Sequence, residues 1–79
     1  MAQDTPSFKN GQVTLPAGQS SVAVAFQRAF ASGVSHGVKV EPPYQTSWWV
    51  TSKTISGFTI NVGTTNPYDQ TLYWEADAL

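Results

Sequence analysis

Turn signals recur along this chain so closely that no long helix fits between them. They are Asn10-Gly11, Pro16-Ala17-Gly18, Ser32-Gly33, Pro42-Pro43, Ser56-Gly57, Gly63 and Asn66-Pro67. Between them lie short runs rich in Val, Ile, Thr, Phe, Tyr and Trp. Short runs of this kind, with turns roughly every 8–12 residues, predict an all-β sandwich or barrel. Six strands are expected, over residues 11–15, 21–30, 37–41, 47–52, 57–62 and 71–77. In the fifth, Phe58, Ile60 and Val62 alternate with Thr59 and Asn61. In the sixth, Leu72, Trp74 and Ala76 alternate with Tyr73, Glu75 and Asp77. A period of two sends one set into a core and the other to the opposite face. The one helical rival is 21–31, which is rich in alanine. Val22, Val24 and Phe26 stand two apart there, which favours a strand. Residues 1–9 are polar, include Pro6 and have no period, so they read as an arm or linker. That leaves 10–79 as the sandwich domain.

A chain of 79 residues is one domain. At this size only roughly 60–65% of the unfolded surface is buried, and a disulfide, a metal or a partner subunit usually helps. There is no cysteine, and His36 is the single histidine. Thiolate and histidine-cluster metal sites are therefore excluded, and neither a metal nor a cofactor is expected. Self-association remains. The second strand supports it, because Val22, Val24 and Phe26 occupy one face while Ala23 and Ala25 occupy the other. A sheet with one wet face should alternate apolar with polar. Two apolar faces suit cover on both sides, with Ala23 and Ala25 as candidate interface residues. Alanines that stay half-exposed are the alternative.

Charge narrows the partners further. Charged residues are 11% of the chain and the net charge is −1, against about 25% charged residues in an average domain. Lys9, Arg28, Lys39 and Lys53 are scattered singly, so no basic nucleic-acid patch forms. No run reaches the ~18 apolar residues of a membrane span, and no membrane insertion is expected. The start Met1-Ala2-Gln3-Asp4 lacks the layout of a signal peptide, so synthesis in a cytoplasm is expected.

Catalytic chemistry is sparse. His36, in Ser35-His36-Gly37, has no acid nearby in sequence and reads as a solvated turn residue between strands two and three. Glu75 and Asp77 share one strand face about 7 Å apart. Carboxylate pairs of that kind need a cleft to work as acid and base, so an exposed face is the better reading. No glycine-rich phosphate loop is present. The chain is not expected to be an enzyme.

The aromatics divide into two sets. Phe26, Phe30, Phe58 and Trp74 fall on inward positions. Tyr44, Trp48, Tyr68 and Tyr73 fall in loops, at strand ends or on outward positions. Trp48 and Trp49 must point to opposite faces. An exposed ring beside amides and a carboxylate suits a sugar, with stacking on the ring and hydroxyls bonded by Asn, Gln and Asp. A subunit interface uses the same rings equally well. If strand directions alternate, the loops after strands one, three and five share one end. That gathers Gln19 with the candidate sugar ligands Tyr44, Gln45, Asn66, Tyr68 and Asp69, and sends His36 and Lys53 to the other end. The competing reading of Asn66-Pro67-Tyr68-Asp69 is an ordinary turn whose Asx side chains cap their own backbone.

Four segments together resemble the H-type lectin domain and related small domains at the ends of phage tail fibres and in other virion proteins. They are Val22-Ala23-Val24-Ala25-Phe26 with Phe30, Gly37-Val38-Lys39-Val40-Glu41-Pro42, Gly57-Phe58-Thr59-Ile60 after Ser52, and Tyr73-Trp74-Glu75-Ala76. The resemblance spans about residues 11–77. It implies a six-stranded antiparallel β-sandwich that assembles as a homotrimer and holds sugar at subunit boundaries. Those lectins grip sugar with an acidic residue, an arginine, a Trp-His pair and a tyrosine. Here the corresponding loops contain no arginine, His36 lies elsewhere, and only Tyr68 and Asp69 offer comparable chemistry. Two functions follow as expectations. One is a trimeric virion attachment module recognising a host-surface glycan. The other is a purely structural virion protein, for decoration or fibre trimerisation, whose partners are other virion proteins.

Overall fold

The computed structural model describes residues 8–32 and 35–78. Most of the expected arm, residues 1–7, lies outside the described residues, as does Gly33 of the Ser32-Gly33 turn. Six strands form: β1 Phe8–Leu15, β2 Ser21–Ala25, β3 His36–Glu41, β4 Trp48–Thr54, β5 Gly57–Val62 and β6 Gln70–Ala78. They make two three-stranded antiparallel sheets, ordered β1-β6-β3 and β2-β5-β4. Only the β4–β5 connection joins neighbours in one sheet; the other four cross between sheets.

The two central strands, β5 and β6, are the two with the cleanest alternation. Phe58, Ile60 and Val62 face Leu72, Trp74 and Ala76 in one buried core with Leu15, Val24, Phe30 and Val40. The Phe58 and Trp74 rings meet edge to face at 5.5 Å, a favoured aromatic geometry. Trp48 turns toward this core and Trp49 is 50% exposed, so the two neighbouring indoles do take opposite faces.

The second strand is shorter than its sequence suggests. It ends at Ala25 rather than running on to residue 30. Phe26 N–H donates to Ser56 O at 2.9 Å and Phe30 N–H to Ile55 O at 2.8 Å. The chain thus bends across the β4–β5 hairpin, leaving Gln27, Arg28 and Ala29 in solvent. Phe30 folds back into the core and Phe26 covers it half-buried. The exposed Arg28 breaks the period that a longer strand would need.

Strand β1 begins at Phe8, three residues before the expected Gly11. This brings Lys9 inside, opposite Ala76 in the register. Lys9 is buried, and its Nζ lies 4.9 Å from the centre of the Phe30 ring and 5.7 Å from that of Phe26. The cation thus lies within reach of the π faces of both rings.

His36 corrects the solvated-turn reading. It is the first residue of β3 and 2% exposed. Its ring stacks tilted on Phe30 at 4.7 Å and meets Phe26 at 5.7 Å. Counting back by twos from Val40 and Val38 reaches His36, so it inherits the inward parity of β3. Burial, and then the nearby Lys53 ammonium, hold its imidazole below the usual histidine range.

Candidate functional site

The loops after β1, β3 and β5 do meet at one end, laced by hydrogen bonds. Residues 16–19 form a tight turn in which Gln19 N–H donates to Pro16 O at 3.1 Å. Gly18 takes φ +77° at its third position, the left-handed backbone that a type II turn requires and glycine adopts freely. From that turn Gly18 N–H donates to Asn66 O at 2.7 Å, and Ala17 N–H to Asp69 Oδ1 at 2.8 Å. On the other side, Tyr44 Oη–H donates to Thr64 O at 2.7 Å, and Thr64 N–H to Thr46 Oγ1 at 3.0 Å. Gly63 N–H closes the set on Ser47 O at 3.0 Å.

This lacing decides what each candidate residue has left to offer. Asn66 Oδ1 accepts from Tyr68 N–H at 3.0 Å, which is an Asx turn. One Asp69 oxygen and the Tyr44 hydroxyl are used between loops, and Tyr44 is half-buried. What faces solvent is the Tyr68 ring, 73% exposed, with the exposed Gln45 and Asp69. The five residues therefore share an end, with Tyr68 as its presented aromatic, Gln45 exposed, and Tyr44, Asn66 and Asp69 partly given to holding the platform.

The far end is built differently. Lys53 Nζ donates to the His36 carbonyl at 2.6 Å, so these two residues share the end opposite the laced loops. A bulge between Thr51 and Thr54 puts Ser52 at φ +55° and re-aims the strand. Buried beneath are His36 Nε2 and Trp74 Nε1, neither with a hydrogen-bond partner. Beside Trp74, a Cβ added to Gly11 would stand 3.0 Å from the indole. The absence of a side chain there is what admits the ring.

The two outer sheet faces differ in chemistry. On β2-β5-β4 the rows are Ser21, Asn61, Trp49 and Ala23, Thr59, Thr51, with Ala25 beyond. None of these side chains is charged. Ala23 and Ala25 are exposed in the single chain, and Asn61 Nδ2 donates to Thr51 Oγ1 at 3.0 Å and to Trp49 O at 3.3 Å. On β1-β6-β3 the middle rows are Asn10, Glu75, Lys39 and Gln12, Tyr73, Glu41. Among the described residues no group of three His, Asp or Glu could hold a metal ion, and no helix is long and apolar enough to cross a membrane.

No family model, curated protein or solved structure matches this chain.

Proposed function

We propose that this protein is a trimeric attachment module of a virion that recognises a host-surface carbohydrate, with an H-type-lectin-like sandwich as its scaffold. The observation that carries the reading is the laced loop end. Three loops are fixed to one another by backbone and side-chain hydrogen bonds and present Tyr68 to solvent. Recognition surfaces are commonly loops held by a rigid scaffold, and ordering them beforehand lowers the entropy lost on binding. Tyr68 supplies the stacking face, while Gln45 and the second Asp69 oxygen supply hydroxyl partners. The uncharged β2-β5-β4 outer face, with Ala23 and Ala25 at its edge and the Trp49 ring standing from it, is the surface on which copies pack. Its small side chains allow close approach, and an exposed indole suits an interface.

A glycan array probed with the purified protein and with Tyr68→Ala tests this reading. Wild type should bind a restricted set of glycans, and Tyr68→Ala should lose members of that set with its melting temperature unchanged. A set left unchanged by Tyr68→Ala, or a blank array with wild type, overturns the loop-end site. A second reading, a structural virion module without ligand, is favoured by one specific observation: Asn66, Asp69 and Tyr44 each spend a polar atom on loop architecture. A blank array together with an intact trimer is its expected result.

A further inference from the structure

A second surface carries the chemistry of sugar recognition without any loop. It is the middle of the β1-β6-β3 outer face, where six side chains form a grid of two rows on three strands. One row is Gln12, Tyr73 and Glu41, and the other is Asn10, Glu75 and Lys39. Strand spacing and rise make the grid roughly 10 Å by 7 Å, the footprint of one six-membered sugar ring with its hydroxyls. These residues line a concavity of about 290 Å³, just below the roughly 300–1,000 Å³ of small-molecule sites. Tyr73 stands in it 51% exposed.

We propose that this grid is a carbohydrate-contact site for a neutral pyranose, distinct from the loop end. Tyr73 offers the ring on which the apolar face of the sugar stacks. Glu41 and Glu75 accept from hydroxyls, Lys39 donates, and Gln12 and Asn10 do both. All six side chains sit on the strands of one sheet, so their spacing is set by the hydrogen-bonded ladder rather than by loop conformation. Charge selects the class of sugar. Two carboxylates and one ammonium leave the grid net negative, which disfavours sialic and uronic acids and admits neutral hexoses and N-acetylhexosamines. The proposal is independent of the loop-end site. The two fail separately, because Tyr68 reports on one and Tyr73 on the other.

Amide chemical-shift mapping of the assembled protein tests it, with glucose, galactose, mannose, N-acetylglucosamine and N-acetylneuraminic acid as probes. At least one neutral sugar should shift the amides around positions 10, 12, 39, 41, 73 and 75, and N-acetylneuraminic acid should not. Tyr73→Ala should weaken that binding roughly tenfold, the scale of one lost stacked ring. Tyr73→Phe should keep most of it, and Tyr68→Ala should leave it intact. Shifts confined to residues 44–47 and 64–69 overturn the proposal, as does no shift with any sugar. A change of assembly mass in Tyr73→Ala also overturns it, since the face would then be a contact between copies. The melting curve of Tyr73→Phe guards against misreading a folding defect as lost binding.

Discussion

Phe58→Ala removes the ring at the centre of the core. Phe58 is buried on the middle strand of its sheet. Its ring meets Trp74 of the opposite sheet at 5.5 Å and Phe26 at 5.8 Å. Truncating a buried phenylalanine costs about 3–5 kcal/mol, depending on how far the site collapses. Trp74 is fixed on the central strand of the other sheet and cannot follow, whereas Phe26 lies beyond the end of β2 and relaxes more readily. The middle of the range, about 4 kcal/mol, is expected. A domain of this length has only roughly 0.05–0.15 kcal/mol of stability per residue, so the variant should melt roughly 15–30 °C lower. Urea unfolding followed by tryptophan fluorescence, with both variants at the same protein concentration, measures this. A loss below about 1 kcal/mol would refute the core packing described for this position. A larger loss from Thr59→Ala than from Phe58→Ala would show the strand turned over by one residue.

Four further outcomes are expected. Burial and then Lys53 lower the His36 pKa from its ordinary value, so the unfolded chain takes up its proton more readily than the native one; stability should be full above the ordinary histidine pKa of about 6.5 and fall below it, by at most about 1.4 kcal/mol per pH unit. His36→Phe, which keeps the ring contacts and removes the unpartnered Nε2, should flatten that acid limb in urea titrations run at several pH values. Gly57→Ala would drive a methyl group into the Val24 backbone carbonyl and should cost about 1–3 kcal/mol as an overpacked contact, read as a lowered urea midpoint. Asp69→Ala should lose about 1 kcal/mol with the Ala17 bond, while Asp69→Asn, which keeps an acceptor oxygen, should melt close to wild type. Ala25→Glu places a carboxylate on a residue exposed in the single chain, so circular dichroism should stay native while the sedimenting mass falls to that of a monomer.

Fold and site were legible in the sequence to different depths, for physical reasons. Alternation was clearest in β5 and β6 because each is flanked by strands on both sides and covered by a full layer of core. Alternation does not carry strand direction; the sharing of one end by three loops follows only once the strands alternate in sense, as they do here. Strand ends were harder. Lys9 and His36 occupy inward positions, but polar residue types conceal the parity; extending β1 back from Leu15, Val13 and Gly11, and β3 back from Val40 and Val38, recovers both. Phe26 and Phe30 kept an apparent strand pattern through what is a crossing segment, because both rings are apolar anchors of its two ends. Which strands pair could not be read, since alternation assigns a face and not a neighbour. At the loop end, Asn66, Asp69 and Tyr44 were legible as a group. Their use in tying the loops together depends on loop conformation, which composition does not carry. The Tyr73 grid is not legible in the sequence, because its six members come from three strands far apart in sequence and meet only through the β1-β6-β3 register.

Native mass spectrometry of the purified protein in the presence of a neutral sugar reads assembly and recognition together. The proposed function requires a species of three 8.5 kDa chains carrying additional mass in whole sugar units, with the adduct lost when Tyr68 and Tyr73 are both replaced by Ala. A single chain without adduct, at micromolar protein and in excess sugar, would contradict both the trimer and the attachment role.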